Sequence, residues 1–143
     1  MKVEIKRVDK ELPLPQYETD GACGFDLVLR EGATIDPHGY ALLPTNVIVK
    51  VPQGYMLAVM ARSSLNKKTG LIIPHGFGVL DQDYHGPEDE AKLLVYNPTS
   101  ESIEVKRGDR LGQGVFIRVD MAEWEEIEGD FKTESRGGFG STG

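Results

Sequence analysis

An all-β fold, a sandwich or barrel of jelly-roll type, is what the sequence predicts, on three observations. Short apolar segments with period-two alternation recur along the chain, turn signals separate them closely, and no longer window carries a 3.6-residue apolar stripe. Val3-Glu4-Ile5 is the first alternating segment, followed by Phe25 to Leu29 and Val47 to Val51. Tyr55 to Ala61, Lys92 to Tyr96, Ile103 to Val105 and Leu111 to Val119 continue the series. Asp36-Pro37-His38-Gly39, Pro52-Gln53-Gly54, Asn97-Pro98-Thr99 and Arg107-Gly108-Asp109 supply the turns between them. The single helix candidate is Ser64 to Lys68, about one turn. Pro37-His38-Gly39-Tyr40 and Pro52-Gln53-Gly54-Tyr55 match as a pair, and repeated turn chemistry explains them more simply than duplication.

The chain has 143 residues, which suits one domain with a real core. The strand-rich part covers 1–119. An acidic, irregular linker over 120–135 carries Trp124 among Glu123, Glu125 and Glu126, and a glycine-rich arm covers 136–143. Trp124 is expected to pack against a surface, a neighbouring subunit for example. A formal net charge of -7 argues against general nucleic-acid binding, which needs a basic surface. The one cysteine, Cys23, excludes an intrachain disulfide and is expected to be a buried packing residue. No apolar run is long enough to span a bilayer and the first residues do not read as a signal peptide, so a cytoplasmic location is expected.

The arm, Arg136-Gly137-Gly138-Phe139-Gly140-Ser141-Thr142-Gly143, carries the clearest chemistry. Its glycines free backbone N–H groups to converge on phosphate oxygens. Arg136 adds a planar charged donor, Ser141 and Thr142 add hydroxyls, and Phe139 offers a flat face the size of a nucleobase. A phosphate loop would place Lys and a helix after the glycines, and neither is present. A frayed glycine-rich end is the plain alternative. Because the protein is acidic, a bound polyphosphate would need local arginines and a divalent cation, for which Mg²⁺ is suited.

Further candidates lie in the body. In Gly78-Val79-Leu80-Asp81-Gln82-Asp83-Tyr84-His85-Gly86, alternation from Val79 would put Asp81 and Asp83 on one face, where they can hold a water or a metal. A polar strand end followed by a turn accounts for the same residues. Tyr84 is either a core-edge aromatic or a platform for a sugar. Arg62-Ser63-Ser64 at a strand end suits a phosphate. His38, His75 and His85 have neither triad nor metal-ligand spacing and read as turn or surface residues, so Ser63 and Ser64 are poor candidates for nucleophiles. Asp26, acidic among apolar neighbours, needs a partner, either an arginine or metal-bound water.

Five segments together resemble, in order, the five motifs of the trimeric dUTPase family. They are Ala22 to Leu27, Arg62 to Leu65, Gly78 to Gly86, Arg107 to Gln113 and Arg136 to Gly143. The resemblance implies a β-barrel-like homotrimer that hydrolyses dUTP to dUMP and pyrophosphate with Mg²⁺, each site drawing on three subunits. It implies that Asp81 acts as general base, chiefly by positioning a water against the α-phosphorus. Asp26 would hold waters of the Mg²⁺ shell, and Arg62, Ser63, Ser64 and Gln113 would contact phosphates. Tyr84 would pack on the deoxyribose and exclude a 2′-hydroxyl. Backbone groups around His75 to Val79, including Gly78, would read uracil. Arg136 would grip the γ-phosphate, Phe139 would stack on uracil, and Gly140, Ser141 and Thr142 would wrap the phosphates.

Some positions depart from the family pattern. Pro87-Glu88-Asp89-Glu90-Ala91 looks like an acidic insertion, expected to be a solvated loop, with a metal contact as the alternative. Gly112 stands where alanine is usual, and Gly114 where an apolar residue often sits. Two other functions are compatible with the scaffold. A dCTP deaminase would attack the base and would not need Asp81 beside the α-phosphorus or a complete closing arm. A nucleotide-dependent regulatory binding protein would keep the pocket and signal through the arm.

Overall fold

A computed structural model describes residues 1–138 and bears out the all-β reading. Among the described residues the strands are β1 (Ile5–Arg7), β2 (Phe25–Val28), β3 (Ala33–Ile35), β4 (Tyr40–Pro44), β5 (Val47–Val49), β6 (Tyr55–Ala61), β7 (Phe77–Leu80), β8 (Lys92–Tyr96), β9 (Ile103–Val105) and β10 (Arg110–Arg118). The helix α1 spans Leu65–Thr69, as expected within a residue, and Gly70 ends it in the left-handed conformation (φ 81°). β3 and β4 carry no readable alternation. Ala33-Thr34-Ile35 is too short to show a period, and Tyr40-Ala41-Leu42-Leu43-Pro44 places two leucines together before a proline. Both are strands because β9 and β8 supply their hydrogen bonds.

The strands form a four-stranded antiparallel sheet in the order β2-β10-β6-β7 and three two-stranded ribbons, β1-β5, β3-β9 and β4-β8. One core joins them. Leu27, Leu57 and Val59 of the large sheet belong to the same buried cluster as Leu43, Val47, Val49, Leu93 and Val95 of the ribbons. β6 is central, and Leu57, Ala58 and Val59 are buried in succession. Such consecutive burial marks a strand covered on both faces.

The two proline–glycine turns share chemistry but not register. Gly39 N donates to Asp36 O (2.9 Å) with the positive φ at His38, whereas Tyr55 N donates to Pro52 O (3.1 Å) with the positive φ at Gly54. A duplication would have kept the offset, so these are two solutions to the same bend.

Gly114 has a packing reason. A Cβ there would lie 2.4 and 2.6 Å from the Phe25 ring and 3.1 Å from Leu57. The missing side chain is the space that Phe25 fills, and Phe25 in turn meets Tyr17 and Phe116 (ring centroids 5.7 and 5.8 Å). Gly114→Val is therefore expected to cost about 1–3 kcal/mol of stability, from an overpacked core. Thermal or urea unfolding checks this, and an unchanged midpoint would mean that Phe25 moves aside freely.

Beyond Val119, whose N–H donates to Gly54 O (3.0 Å), residues 120–138 form no strand or helix and are exposed throughout. Met121, Trp124, Ile127 and Phe131 lie on this stretch, and Trp124 is 93% exposed. Cys23 is exposed and not in the core, a correction to its expected burial. It sits in the bend ahead of β2, and the core begins only at Phe25. No helix among the described residues is long and apolar enough to cross a membrane.

Candidate active site

Asp26 is buried on β2, opposite Gln113 of β10, which lies opposite Met60 of β6. Its partners are two arginines: Arg62 Nε lies 2.8 Å from Oδ1 and Arg110 Nη1 lies 3.1 Å from Oδ2, both as ion pairs. Oδ2 nevertheless accepts no well-aligned hydrogen bond, so a buried carboxylate oxygen keeps lone-pair capacity for a further donor. The arginine pairing stabilises the buried charge and fixes the root of the Arg62 guanidinium.

Arg62 leaves β6 where Leu111 holds its backbone (Arg62 N to Leu111 O, 3.0 Å), and its Nη1 donates to Arg110 O (3.2 Å). Ser63 is exposed. Ser64 is the N-cap residue ahead of α1 but makes no capping hydrogen bond with its side chain, which leaves the hydroxyl to a ligand. Gln113 is held by one bond, Nε2 to Ala61 O (2.9 Å). A Cβ on Gly24 would sit 2.6 Å from Gln113 Oε1, so a side chain there would push the amide from this position. Arg62, Ser63, Ser64, Gln113 and Asp26 thus gather at one end of the large sheet. Arg110 joins them. It lies inside a motif that resembles the family's, yet the family pattern assigned it no role. No spacing announces it: three residues apart on a regular strand would face opposite sides, and the register shift between Arg110 and Gly112 interrupts that alternation.

β7 is an edge strand, so some of its backbone N–H and C=O groups face no strand partner. Gly78 and Val79 pair with Val59 and Ala58, and His75 and Gly76 form the exposed turn leading in. The other histidines, His38 and His85, are also exposed, and His38 lies in a turn as expected.

The strand stops at Leu80. Asp81 and Asp83 do not share a strand face: Tyr84 N donates to Asp81 O (3.3 Å) and His85 N to Asp83 O (3.1 Å), a turn at the strand end. A strand continued past Leu80 would pair Asp81 and Gln82 with Met56 and Tyr55, which β6 still offers, but the chain turns away instead. Both aspartates are exposed and line a cleft of about 480 Å³ together with Tyr55, Met56, Gln82, Val119 and Met121. Gln82 Nε2 donates to Tyr55 O (3.2 Å) and pins the turn. Tyr84 is 37% exposed beside this turn.

The two halves of the expected site are far apart within one chain. Leu80 pairs with Leu57, which puts Asp81 level with Met56, while Arg62 follows the other end of β6. At roughly 3.3 Å per residue the two lie ~20 Å apart along the strand, too far to serve one triphosphate. Arg136 is exposed on the extended C-terminal stretch, and Phe139, Gly140, Ser141 and Thr142 lie outside the described residues. The acidic insertion is only partly solvated. Glu88 is exposed, Asp89 Oδ2 accepts from Gly86 N (2.6 Å), and Glu90 is buried against Arg30, whose guanidinium it holds above its ordinary pKa by hydrogen bonding.

Comparison with known proteins gives a consistent picture. Residues 10–143 match the family model described as dUTPase. The deoxyuridine 5'-triphosphate nucleotidohydrolase of Zymomonas mobilis is 40% identical, over all of this chain and 98% of its own. The crystal structure of dUTPase from Streptococcus mutans superposes with a TM-score of 0.76 at 28% identity, covering 84% of this chain and 98% of that one. The Staphylococcus bacteriophage 80alpha dUTPase with dUPNHPP has a TM-score of 0.87 at 23% identity, over 99% of this chain and 98% of that one, a likeness of fold.

Proposed function

Because the chain belongs to the dUTPase family, we propose that Asp81 directs a water at the α-phosphorus of dUTP, releasing dUMP and pyrophosphate in a site shared between the subunits of a homotrimer. The enzyme is a dUTP diphosphatase. One observation carries the chemical part: a relative named for dUTP hydrolysis that is 40% identical over all of this chain.

The exposed Asp81 carboxylate would accept a hydrogen bond from the water and aim its lone pair in line with the leaving pyrophosphate. The water's proton then passes toward the carboxylate as the bond from the α-phosphorus to the bridging oxygen breaks. Arg62, Ser63, Ser64 and Gln113 from a neighbouring copy, with Arg136 on the γ-phosphate, would stabilise the charge that builds on the phosphate oxygens. Backbone groups of the edge strand β7 at Gly78 and Val79, and of the turn before it around His75, would pair with the donor and acceptors of uracil. Phe139 would stack on its face, Tyr84 would pack on the sugar, and Gly140, Ser141 and Thr142 would enclose the phosphates.

A shared site is favoured by the separation of Asp81 from Arg62 along β6. The uncovered Met121, Trp124, Ile127 and Phe131 also favour it, since such residues anchor contacts between chains. The residues present fit Mg²⁺. Among the described residues no three of His, Cys, Asp or Glu form a cage, and Mg²⁺ does not require one, since it keeps its waters and binds through phosphates. Asp26, with its unsatisfied buried Oδ2, would accept hydrogen bonds from waters of the ion's shell. When bound, the ion would neutralise the triphosphate.

Pyrophosphate release measured across the deoxynucleoside triphosphates tests the assignment. Release is expected from dUTP and little from dCTP or dTTP, with no ammonia from dCTP. Ammonia in place of pyrophosphate would instead indicate deaminase chemistry. Chelating Mg²⁺ is expected to weaken binding of a non-hydrolysable triphosphate far more than binding of dUMP. Equal weakening would contradict a phosphate-bridging ion.

A further inference from the structure

We infer that Glu90 is a positioning residue: by anchoring the far end of the Asp81 loop, it fixes the Tyr84 ring against the sugar and thereby sets the preference for deoxyribose over ribose nucleotides. This role presupposes dUTP hydrolysis as proposed above.

The segment between Leu80 and Lys92 has no strand of its own, yet it carries both Asp81 and Tyr84. Its entry is held by the pairing of Leu80 with Leu57. At its exit, Ala91 N donates to Val47 O (2.8 Å), and Thr45 donates to Ala91 O through both its backbone N (3.0 Å) and Oγ1 (2.6 Å). Glu90 is only 6% exposed. Its Oε1 accepts from Arg30 Nε (3.0 Å) and Asn46 N (2.7 Å), and its Oε2 accepts from Arg30 Nη2 (2.9 Å). A carboxylate at this depth is tolerated because two charged N–H groups and one backbone N–H saturate it.

Asn46 has a positive φ of 70°, and its side chain is tied to Asp9 through Nδ2 to Asp9 O (2.9 Å) and Asp9 N to Oδ1 (2.7 Å). The anchor under Glu90 is thus itself fixed. From it, Glu90 O accepts a long hydrogen bond from the Tyr84 hydroxyl (3.5 Å), tethering the far tip of a ring that is otherwise exposed. Sugar discrimination by contact needs a ring that does not yield, because misplacement by about 1 Å can cost catalysis on the order of 10²-fold. Discrimination therefore depends on what holds Tyr84, and the chain of contacts leads to Glu90. In this chain the acidic insertion delivers Glu90 to that point.

The test is steady-state pyrophosphate release from dUTP and from UTP by the full-length protein carrying Glu90→Gln, with thermal melting in parallel. The dUTP:UTP ratio of kcat/KM is expected to fall on the order of 10-fold. Asp81→Asn, by contrast, is expected to slow both nucleotides and leave the ratio unchanged. A purely structural Glu90 would alter the melting point, or slow both substrates together, and either result with an unchanged ratio overturns the inference. Should Glu90→Gln fail to fold, Tyr84→Phe removes only the tether and leaves the buried pair intact. A wild-type ratio in that variant also overturns it. Lack of dUTP turnover by the unmodified protein would count against the proposed activity, and the wild-type control reads that separately.

Discussion

Asp81→Asn is expected to lower kcat for dUTP by ~10²–10⁴-fold while leaving nucleotide affinity largely intact. The amide keeps the size and the turn of the carboxylate, and Tyr84 N still finds Asp81 O, so the loop stays in place. What is lost is the negative acceptor that orients the water and takes its proton. Because Asp81 is exposed in a wide cleft and bears no structural ion pair among the described residues, the stability of the variant is expected to match wild type. Single-turnover kinetics with binding of a non-hydrolysable analogue separates the two effects. Unchanged turnover would remove Asp81 from its role, and a lost affinity would make it a binding group.

Deleting Arg136 to Gly143 is expected to slow hydrolysis by ~10²-fold or more, with the melting temperature unchanged. The rate loss follows from removing one guanidinium, two hydroxyls and several backbone donors from phosphates that accumulate charge in the transition state. Phe139 would leave with them, so affinity for the uracil nucleotide is expected to fall as well. Stability is expected to hold because Arg136, Gly137 and Gly138 are exposed and outside the core cluster. Melting and pyrophosphate release measured on the same truncated sample decide the matter. A large drop in melting temperature with full activity would make the segment structural.

Much of the fold was legible because local chemistry and tertiary context agree. Tyr55 to Ala61 alternates weakly but is β-rich and bounded by Gly54 and Arg62, and it became the central strand. Phe25 to Val28 and Lys92 to Tyr96 likewise stand where alternation placed them. Failures came where pairing partners decide. β3 and β4 are strands by virtue of β9 and β8, and β7 ends at Leu80 because the chain turns there, with Met56 and Tyr55 of β6 still beyond the last pair. The site divides in the same way. Asp26 visibly needed a partner, but only the register of β2 with β10, and the exit of β6, bring Arg62 and Arg110 to it. Glu90 read as one more solvated acid in a charged run. Its burial depends on Arg30 and Asn46, which are distant in sequence, and no local pattern announces them. Cys23 was misplaced for a related reason, since being small and apolar says nothing about which side of a bend a residue occupies.

The central claim is that one chain holds both halves of the machinery but cannot bring them to the same triphosphate. Its most direct measurement mixes two inactive variants, Asp81→Asn and Arg62→Ala, by unfolding and refolding them together in equal amounts. Each alone is expected to be nearly inactive. Mixed, they are expected to recover roughly a quarter of wild-type dUTP turnover, since each interfacial site draws the two residues independently from two chains. A mixture that forms hybrid oligomers yet stays as inactive as its components would place both residues in a site within one chain and contradict the account.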